Sequence, residues 1–487
     1  MTFSATEAGV AELWEKLASR IAAGDRFAGL FAALRRPHSG DTGAEAALVL
    51  SAHVAARGGI DTVETALPPG AESYPALTPL VGAAFWYERV IHDEFGVVPR
   101  GHPRLAPLVL HGSPEDHALP RHVTGYGMFT IPHGPVRSGV MESIEYLVET
   151  PGEAIPHLNM RAFYKYRGIE KRFEGMSAAD GVLVAERAEG IASVAHTLAY
   201  CHAIERIAGC TPPEPASLVR VLHAELERIA NHVDVGAKLA DAAGLAVAAA
   251  RFAVHKERVL RLVSRLCGSR FGRGVAVPGG VSALPRMSPG AILAELGQLE
   301  KAIMADADSM MATSSFLDRL RATGPLIPAR ARAHGALGPI GKASGFSDDA
   351  RTERPYDAYP SLGMLPGRAH EAGDALARLA VRWDEVAQSF HLLRQVADEL
   401  AGRPDAGEPM VMACDPAGGR AVGWAEAPQG EVLYDVTLED GRISRGHPRS
   451  ASFHNLVLMH EVFAGDILTD FPFIEASFGL SVAGVAL

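Results

Sequence analysis

Five stretches between residues 183 and 402 repeat apolar side chains at i, i+3 and i+4, which restricts the fold more than anything else in the chain. Such spacing marks amphipathic helices, and each must bury its apolar stripe against a neighbour. The stretches are Leu183–Ile207, Ala216–Ala242, Ala246–Cys267, Met287–Leu320 and Ala372–Leu400. In the second, Leu218, Val221, Leu222, Leu226, Ile229 and Val233 fall on one face. Pro212-Pro213 and Gly268 interrupt the pattern between neighbours, and short breaks between long helices predict an antiparallel bundle.

The flanks differ in character. Glu7–Ala23 has helical spacing, Ala44–Ala56 fits a second helix or a strand–helix unit, and Leu77–Val90 fits a further helix. These predict a small α/β domain over residues 1–120. Residues 113–136, with Pro120, Pro132 and Gly134-Pro135, read as a linker into a second domain spanning 121–487. There, Val140–Glu149, a turn at Pro151-Gly152 and Ala154–Tyr164 predict a small antiparallel β region. The bundle occupies about 183–402, followed by a small β region and a tail over 408–487. Val422–Ala427 and Val432–Leu438, with Asp440-Gly441 beyond, suggest a hairpin or small sheet, and Ser452–Phe463 a short helix. The expected class is α+β: a small α/β domain, then a mainly helical bundle domain with small β elements. At 487 residues the chain exceeds one ordinary core, in keeping with two domains.

Composition excludes some functions. A formal net charge of -11 argues against nucleic acid as a partner, because phosphate binding needs a basic face. No apolar run approaches the roughly 20 residues of a membrane-spanning helix. The start Met1-Thr-Phe-Ser lacks the basic and apolar segments of a signal peptide. The cysteines at 201, 210, 267 and 414 have no chelating Cys-x-x-Cys spacing and fit small buried side chains in a reduced compartment.

Several longer motifs carry a resemblance. Tyr87-Glu-Arg-Val-Ile-His-Asp-Glu-Phe-Gly96 with Gly101-His-Pro-Arg-Leu105 resembles the signature of the small α/β subunit of respiratory complex I. Glu186-Arg187, Ser193–Tyr200, Glu225–His232, Arg273–Gly280 and Glu426–Glu431 resemble, in order, the catalytic-type subunit that follows it. The whole resembles the fused large subunit of group 4 membrane-bound [NiFe]-hydrogenases and their complex I relatives. In that family two Cys-x-x-Cys pairs hold nickel and iron, and the corresponding positions are Glu189, Ala192, Ser481 and Gly484. Carboxylate, methyl, hydroxyl and hydrogen cannot replace soft thiolates. The resemblance therefore implies no nickel and no cofactor bound by this chain. It also implies iron–sulfur clusters in a small-subunit partner, membrane antiporter-like partners, and a peripheral place on the cytoplasmic side of the inner membrane. For a quinone headgroup, the family's tyrosine position falls at Gly190 and its histidine at Arg137, or at His133 with a small shift.

The expected site gathers Glu186, Arg187 and Glu189 within one turn of a helix start, with His196 about two turns beyond. The family places the segment carrying Arg167, Glu170 and Lys171 beside the same cavity. Acids and bases crowded in a poorly solvated pocket shift one another's pKa values and can relay protons. A structural alternative is a buried Arg187–Glu170 ion pair, with acidic residues placed by the helix dipole. His223 and His232 lack the duplicated Glu-x-x-His of a dimetal bundle. The Arg258, Arg261, Arg265, Arg270, Arg273 run fits a solvated or partner-facing stripe. Gly272–Gly280 lacks the Lys-Ser/Thr of a phosphate loop. His454-Asn455 and His460-Glu461 fit helix-terminus residues. The expected function is the large subunit of an ion-translocating oxidoreductase complex without its own [NiFe] centre, coupling electron transfer or ligand binding to proton movement. A non-catalytic assembly scaffold is the alternative; a quinone reductase or an active hydrogenase ranks below both.

Overall fold

The computed structural model describes residues 5–35, 46–109, 123–137, 142–402 and 409–487. Helix α1 (Ala5–Ala22) precedes an antiparallel sheet of β1 (Arg26–Arg35), β2 (Ala47–Ala56) and β3 (Gly59–Ala66) in that order. Val10, Trp14 and Leu17 of the helix pack with Leu30, Leu50 and Val54 of the sheet. Helix α2 (Phe85–Phe95) ends at Gly96, whose left-handed φ of 71° closes the last turn. The stretch Ala44–Ala56 is thus a strand from Ala47 onward, not a helix. Nearly every residue of β2 is buried, so the polar alternation that would announce a strand is missing. The helix expected from Leu77 begins at Phe85, because the Glu88 carboxylate accepts from the Leu77 and Thr78 amides at 2.7 and 2.9 Å. A strand at Arg26–Arg35 had no clear signal.

A second antiparallel sheet joins β4 (Phe129–His133), β5 (Glu145–Thr150) and β6 (His157–Arg161). The linker expected over 113–136 therefore includes a strand. Pro132 is tolerated because β4 lies at the sheet edge, paired only with β5. The boundary drawn at residue 120 lies outside the described residues.

The helical region begins with α3 (Gly181–Ala185) and α4 (Ser193–Ala208), followed by α5 (Glu214–Ala242), α6 (Ala246–Cys267), α7 (Pro289–Met311) and α8 (Ala375–Ala401). Only three residues separate α5 from α6, so the chain must reverse there. Leu226, Ile229, Phe252, Leu296, Ile303 and Phe390 share one core across α5 to α8. Asp374 caps α8 by accepting from the Ala377 amide at 2.8 Å. Two expected helices are broken: Leu183–Ile207 at the turn 186–192, and Met287–Leu320 after Met311.

The third sheet runs β7 (Gly419–Ala427), β8 (Gly430–Glu439) and β9 (Arg442–Arg449), all antiparallel. Helix α4 crosses it at Gly423, where an added Cβ would lie 2.0 Å from the Ala199 carbonyl oxygen. The expected Ser452–Phe463 helix is two short turns, Ala451–Leu456 and Met459–Val462. Helices α9 (Phe471–Phe478) and α10 (Val482–Val485) carry the tail back to the start of α4. The first and third sheets are tied by Glu431, which pairs with Arg26 at 2.7 Å, Arg354 at 3.0 Å and Arg449 at 2.6 Å. Burial opposes its ionisation, yet the three guanidiniums hold its carboxyl well below the usual range. The architecture is α+β.

Candidate functional site

The turn between α3 and α4 exists because polar groups take over the hydrogen bonds a continuous helix would use. The Ser193 hydroxyl donates to the Glu186 carbonyl at 2.6 Å. The Glu227 carboxyl accepts from the first free amides of α4, Val194 at 2.7 Å and Ala195 at 3.1 Å. Between these anchors the backbone turns Glu189 inward, leaving it 1% exposed. Its carboxylate meets His196 Nε2 at 3.1 Å and accepts from the Ser452 hydroxyl at 2.8 Å. On the far side of the imidazole, Nδ1 lies 2.9 Å from the Tyr434 hydroxyl. A carboxylate, an imidazole and a phenol thus stand in one hydrogen-bonded row, removed from water.

The C-terminal tail closes over this row. The Ser481 amide donates to Ser452 Oγ at 3.1 Å. A Cβ added at Gly484 would stand 2.5–2.7 Å from the carboxyl atoms of Glu189. Ala192 is fully buried, and its amide donates to the Glu189 carbonyl at 3.3 Å. The turn at 189–192 and the tail at 481–484 therefore meet here, with position 484 packed directly against the Glu189 carboxyl. Glu142 holds the tail by accepting from the Val482 and Ala483 amides at 2.7 and 3.1 Å, and from the Ser481 hydroxyl. Arg167 spans turn and tail, donating to the carbonyls of Arg187, Ala188 and Ala483. Burial lowers its pKa, partly offset by the negative charges of Glu189 and Glu142. Tyr434 is pushed well above the usual phenol range, first by burial and then by Glu189. Such a row can shift a proton between its members without a large movement of atoms.

Of the residues expected at the site, Arg167, Glu189 and His196 come together. Glu186 lies beside them at the end of α3, accepting from the Gly274 amide at 2.8 Å and pairing with Arg187. It follows a helix instead of opening one, so the dipole argument does not apply to it. The Arg187–Glu170 pair is not formed: Arg187, about half exposed, pairs instead with the buried Glu186. Glu170 belongs to a separate cluster with Tyr166 and Glu94, where burial and then Glu94 raise its pKa to about 7. Lys171 is exposed and pairs with Glu174. Arg137 is bound by Glu475 of α9 at 2.7 and 2.9 Å, and His133 packs on the rings of Phe471 and Tyr146. Sequence reasoning missed Glu142, Tyr434, Ser452 and Glu227, which reach the site from distant segments and carry no local motif. His232 meets Glu385 at 2.7 Å, and His454 meets the Tyr87 hydroxyl at 2.8 Å, both inside the core. Arg261, Arg265 and Arg270 form surface pairs with Glu257 and Glu295. Among the described residues, no group of three or more His, Cys, Asp or Glu is placed to hold a metal.

Residues 13–125 match the family model of the respiratory-chain NADH dehydrogenase 30 Kd subunit, and residues 243–415 match that of the 49 Kd subunit. Fold and matches together define a class in which these two units are fused. The chain belongs to that fused family, shared by group 4 membrane-bound hydrogenases and their complex I relatives. It is 27% identical to formate hydrogenlyase subunit 5 of Escherichia coli (strain K12), over 85% of this chain and 77% of that one. It is 29% identical to the carbon monoxide-induced hydrogenase of Rhodospirillum rubrum, over 72% of this chain and 96% of that one. It is 26% identical to an NADH-quinone oxidoreductase subunit of Bdellovibrio bacteriovorus, over 68% and 64% respectively. A chain from the structure of the membrane-bound sulfane sulfur reductase, an archaeal respiratory membrane complex, has the same fold. The TM-score is 0.69 at 22% identity, covering 75% of this chain and 100% of that chain.

Proposed function

We propose that this chain is the large subunit of a membrane-associated, ion-translocating oxidoreductase complex, with Glu189, His196 and Tyr434 as a proton site in place of a nickel–iron centre. The relatives support the first part, being a formate hydrogenlyase subunit, a carbon monoxide-induced hydrogenase and NADH-quinone oxidoreductase subunits. No helix among the described residues is long and apolar enough to cross a membrane. The reading therefore places the chain peripherally on the cytoplasmic side of the inner membrane, beside antiporter-like membrane partners and an iron–sulfur small subunit. One observation carries the second part: the Glu189 carboxylate fills the space beside position 484. A thiolate there would collide with it, since even a Cβ comes within 2.7 Å. The donor set Glu, Ala, Ser and Gly does not fit a centre that needs soft sulfur ligands.

In this reading a negative charge arriving beside the cavity raises the proton affinity of the Glu189–His196 pair. Tyr434 extends the row away from the turn, and Arg167 fixes turn and tail so that its geometry persists. A quinone in the usual headgroup pose finds less support, because Arg137 is neutralised by Glu475 and position 190 is a glycine.

The test is metal analysis and infrared spectroscopy of the purified complex, with ion transport measured in Glu189→Gln. The reading expects no stoichiometric nickel and no cyanide or carbon monoxide stretches. It also expects transport to fall about a hundredfold, the usual contribution of a positioned proton-transfer group. Stoichiometric nickel would end it. Unchanged transport with intact assembly would favour the scaffold role, which has its own support: both Glu189 carboxylate oxygens already have partners inside the protein.

A further inference from the structure

Two of the four cysteines meet from far apart in sequence, Cys210 just beyond α4 and Cys414 shortly before β7. Glu205 brings their segments together. Its carbonyl accepts from the Cys210 amide at 2.9 Å, and its carboxylate from the Gly279 amide at 2.8 Å. The Gly279 carbonyl in turn accepts from the Met412 amide at 2.9 Å. A Cβ added at Gly279 would stand 3.1 Å from Cys414 Cβ. One added at Gly419, the first residue of β7, would lie 2.9 Å from Ile207 Cγ2 near the end of α4. Between these contacts the two thiols are hydrogen-bonded to each other, and both are only partly buried. The other two cysteines are placed differently. Cys201 is fully buried, so an oxidant in solvent does not reach it. Cys267 donates to the Val263 and Ser269 carbonyls, each at 3.3 Å.

We propose that Cys210 and Cys414 are a modification site at which hydrogen peroxide forms a disulfide, stapling the end of α4 to the segment entering the third sheet. A disulfide brings its sulfurs to about 2 Å, closer than a thiol hydrogen bond. Cys414 lies outside any helix or strand, so its segment can supply that movement. Burial, and next the neighbouring Cys210, push the Cys414 thiol up to about 12. Cys414 is therefore protonated at neutral pH, and Cys210 supplies the attacking thiolate. Its sulfur displaces hydroxide from the peroxide and becomes a sulfenic acid, and the hydroxide takes up the thiol proton as water. The Cys414 sulfur then attacks the sulfenic sulfur. The S–S bond forms, the S–O bond breaks, and the hydroxyl leaves with the Cys414 proton as a second water. Two thiols lose two electrons and two protons, and one peroxide is reduced to two waters. A thiol so reluctant to ionise is a poor leaving group, which makes the bond slow to reverse. Cys210 follows the helix that presents His196, and Cys414 leads into the sheet that presents Tyr434, so the staple fixes those two elements against each other.

The test treats the full chain, purified with its thiols reduced, with a small excess of hydrogen peroxide. The sample is quenched in acid and unfolded, and its thiols are titrated. The count is expected to fall from four to two. Mass spectrometry of an unreduced digest, with remaining thiols blocked, should show the Cys210 and Cys414 peptides joined with the loss of two hydrogens. Dithiothreitol should separate them. Cys210→Ser should keep all three of its thiols under the same treatment. Four thiols surviving in the unaltered chain, a bridge to Cys201 or Cys267, a bridge between two chains, or a sulfinic acid at Cys210 without a bridge would each overturn the proposal. The thiol count and the digest use the unaltered protein, so a variant that fails to fold leaves the test standing.

Discussion

Gly484 matters for what it lacks. Its backbone is ordinary, so another residue could adopt it, but the Glu189 carboxyl occupies the place of its side chain. Gly484→Ala should therefore push Glu189 away from His196 and destabilise the protein by about 1–3 kcal/mol, the usual range for overpacking. Urea unfolding measures the loss, and the double variant with Glu189→Ala should recover part of it. Glu227 gives a second prediction at this scale. Burial lifts its folded-state pKa to about 8 from an ordinary 4.5, with the Val194 and Ala195 amides working against the shift. The unfolded chain therefore releases this proton first as pH rises. Its contribution to stability should fall from about pH 4.5 to pH 8 and level off above. Melting temperatures of Glu227→Gln across that range should lack this component of the slope.

At the scale of elements, the junction of α4 with the third sheet positions His196 against Tyr434. Gly423 permits it, since a Cβ there would meet the Ala199 carbonyl at 2.0 Å and the Ala203 amide at 2.4 Å. Both are backbone atoms and cannot rotate aside. Gly423→Ala should separate helix from sheet, costing about 3 kcal/mol or more. Faster amide exchange in α4 and β7 would mark the separation. The long helices were readable because each shows an apolar face to the bundle over many turns. The break at 186–192 was not, because it depends on Glu227, carried by the helix after α4, capping α4 from outside. Sequence leaves β2 open between helix and strand for a related reason: with both faces covered it carries no period of two.

Across the whole molecule, a buried network of charges ties helices α5 and α8 of the bundle to the segment carrying Lys342, Asp349 and Arg351. Arg351 pairs with Glu225 of α5 at 3.1 Å and with Asp349 at 2.7 Å, while Lys342 joins Asp349 to Glu385 of α8. Removing one member strands the others in a medium that cannot solvate them. Arg351→Met should therefore destabilise by about 3–5 kcal/mol, read from the denaturant midpoint. Sequence alone settled the helical bundle, the α+β class, and the absence of cysteine at 189, 192, 481 and 484. Periodicity and ordered motifs are local properties, and each stretch carries its own. Only the tertiary structure placed Glu142, Ser452 and Tyr434 around Glu189, and moved Glu170 and Arg137 into other clusters. Hydrogen bonds between segments hundreds of residues apart depend on how sheets and helices pack, and no short run of residues encodes that.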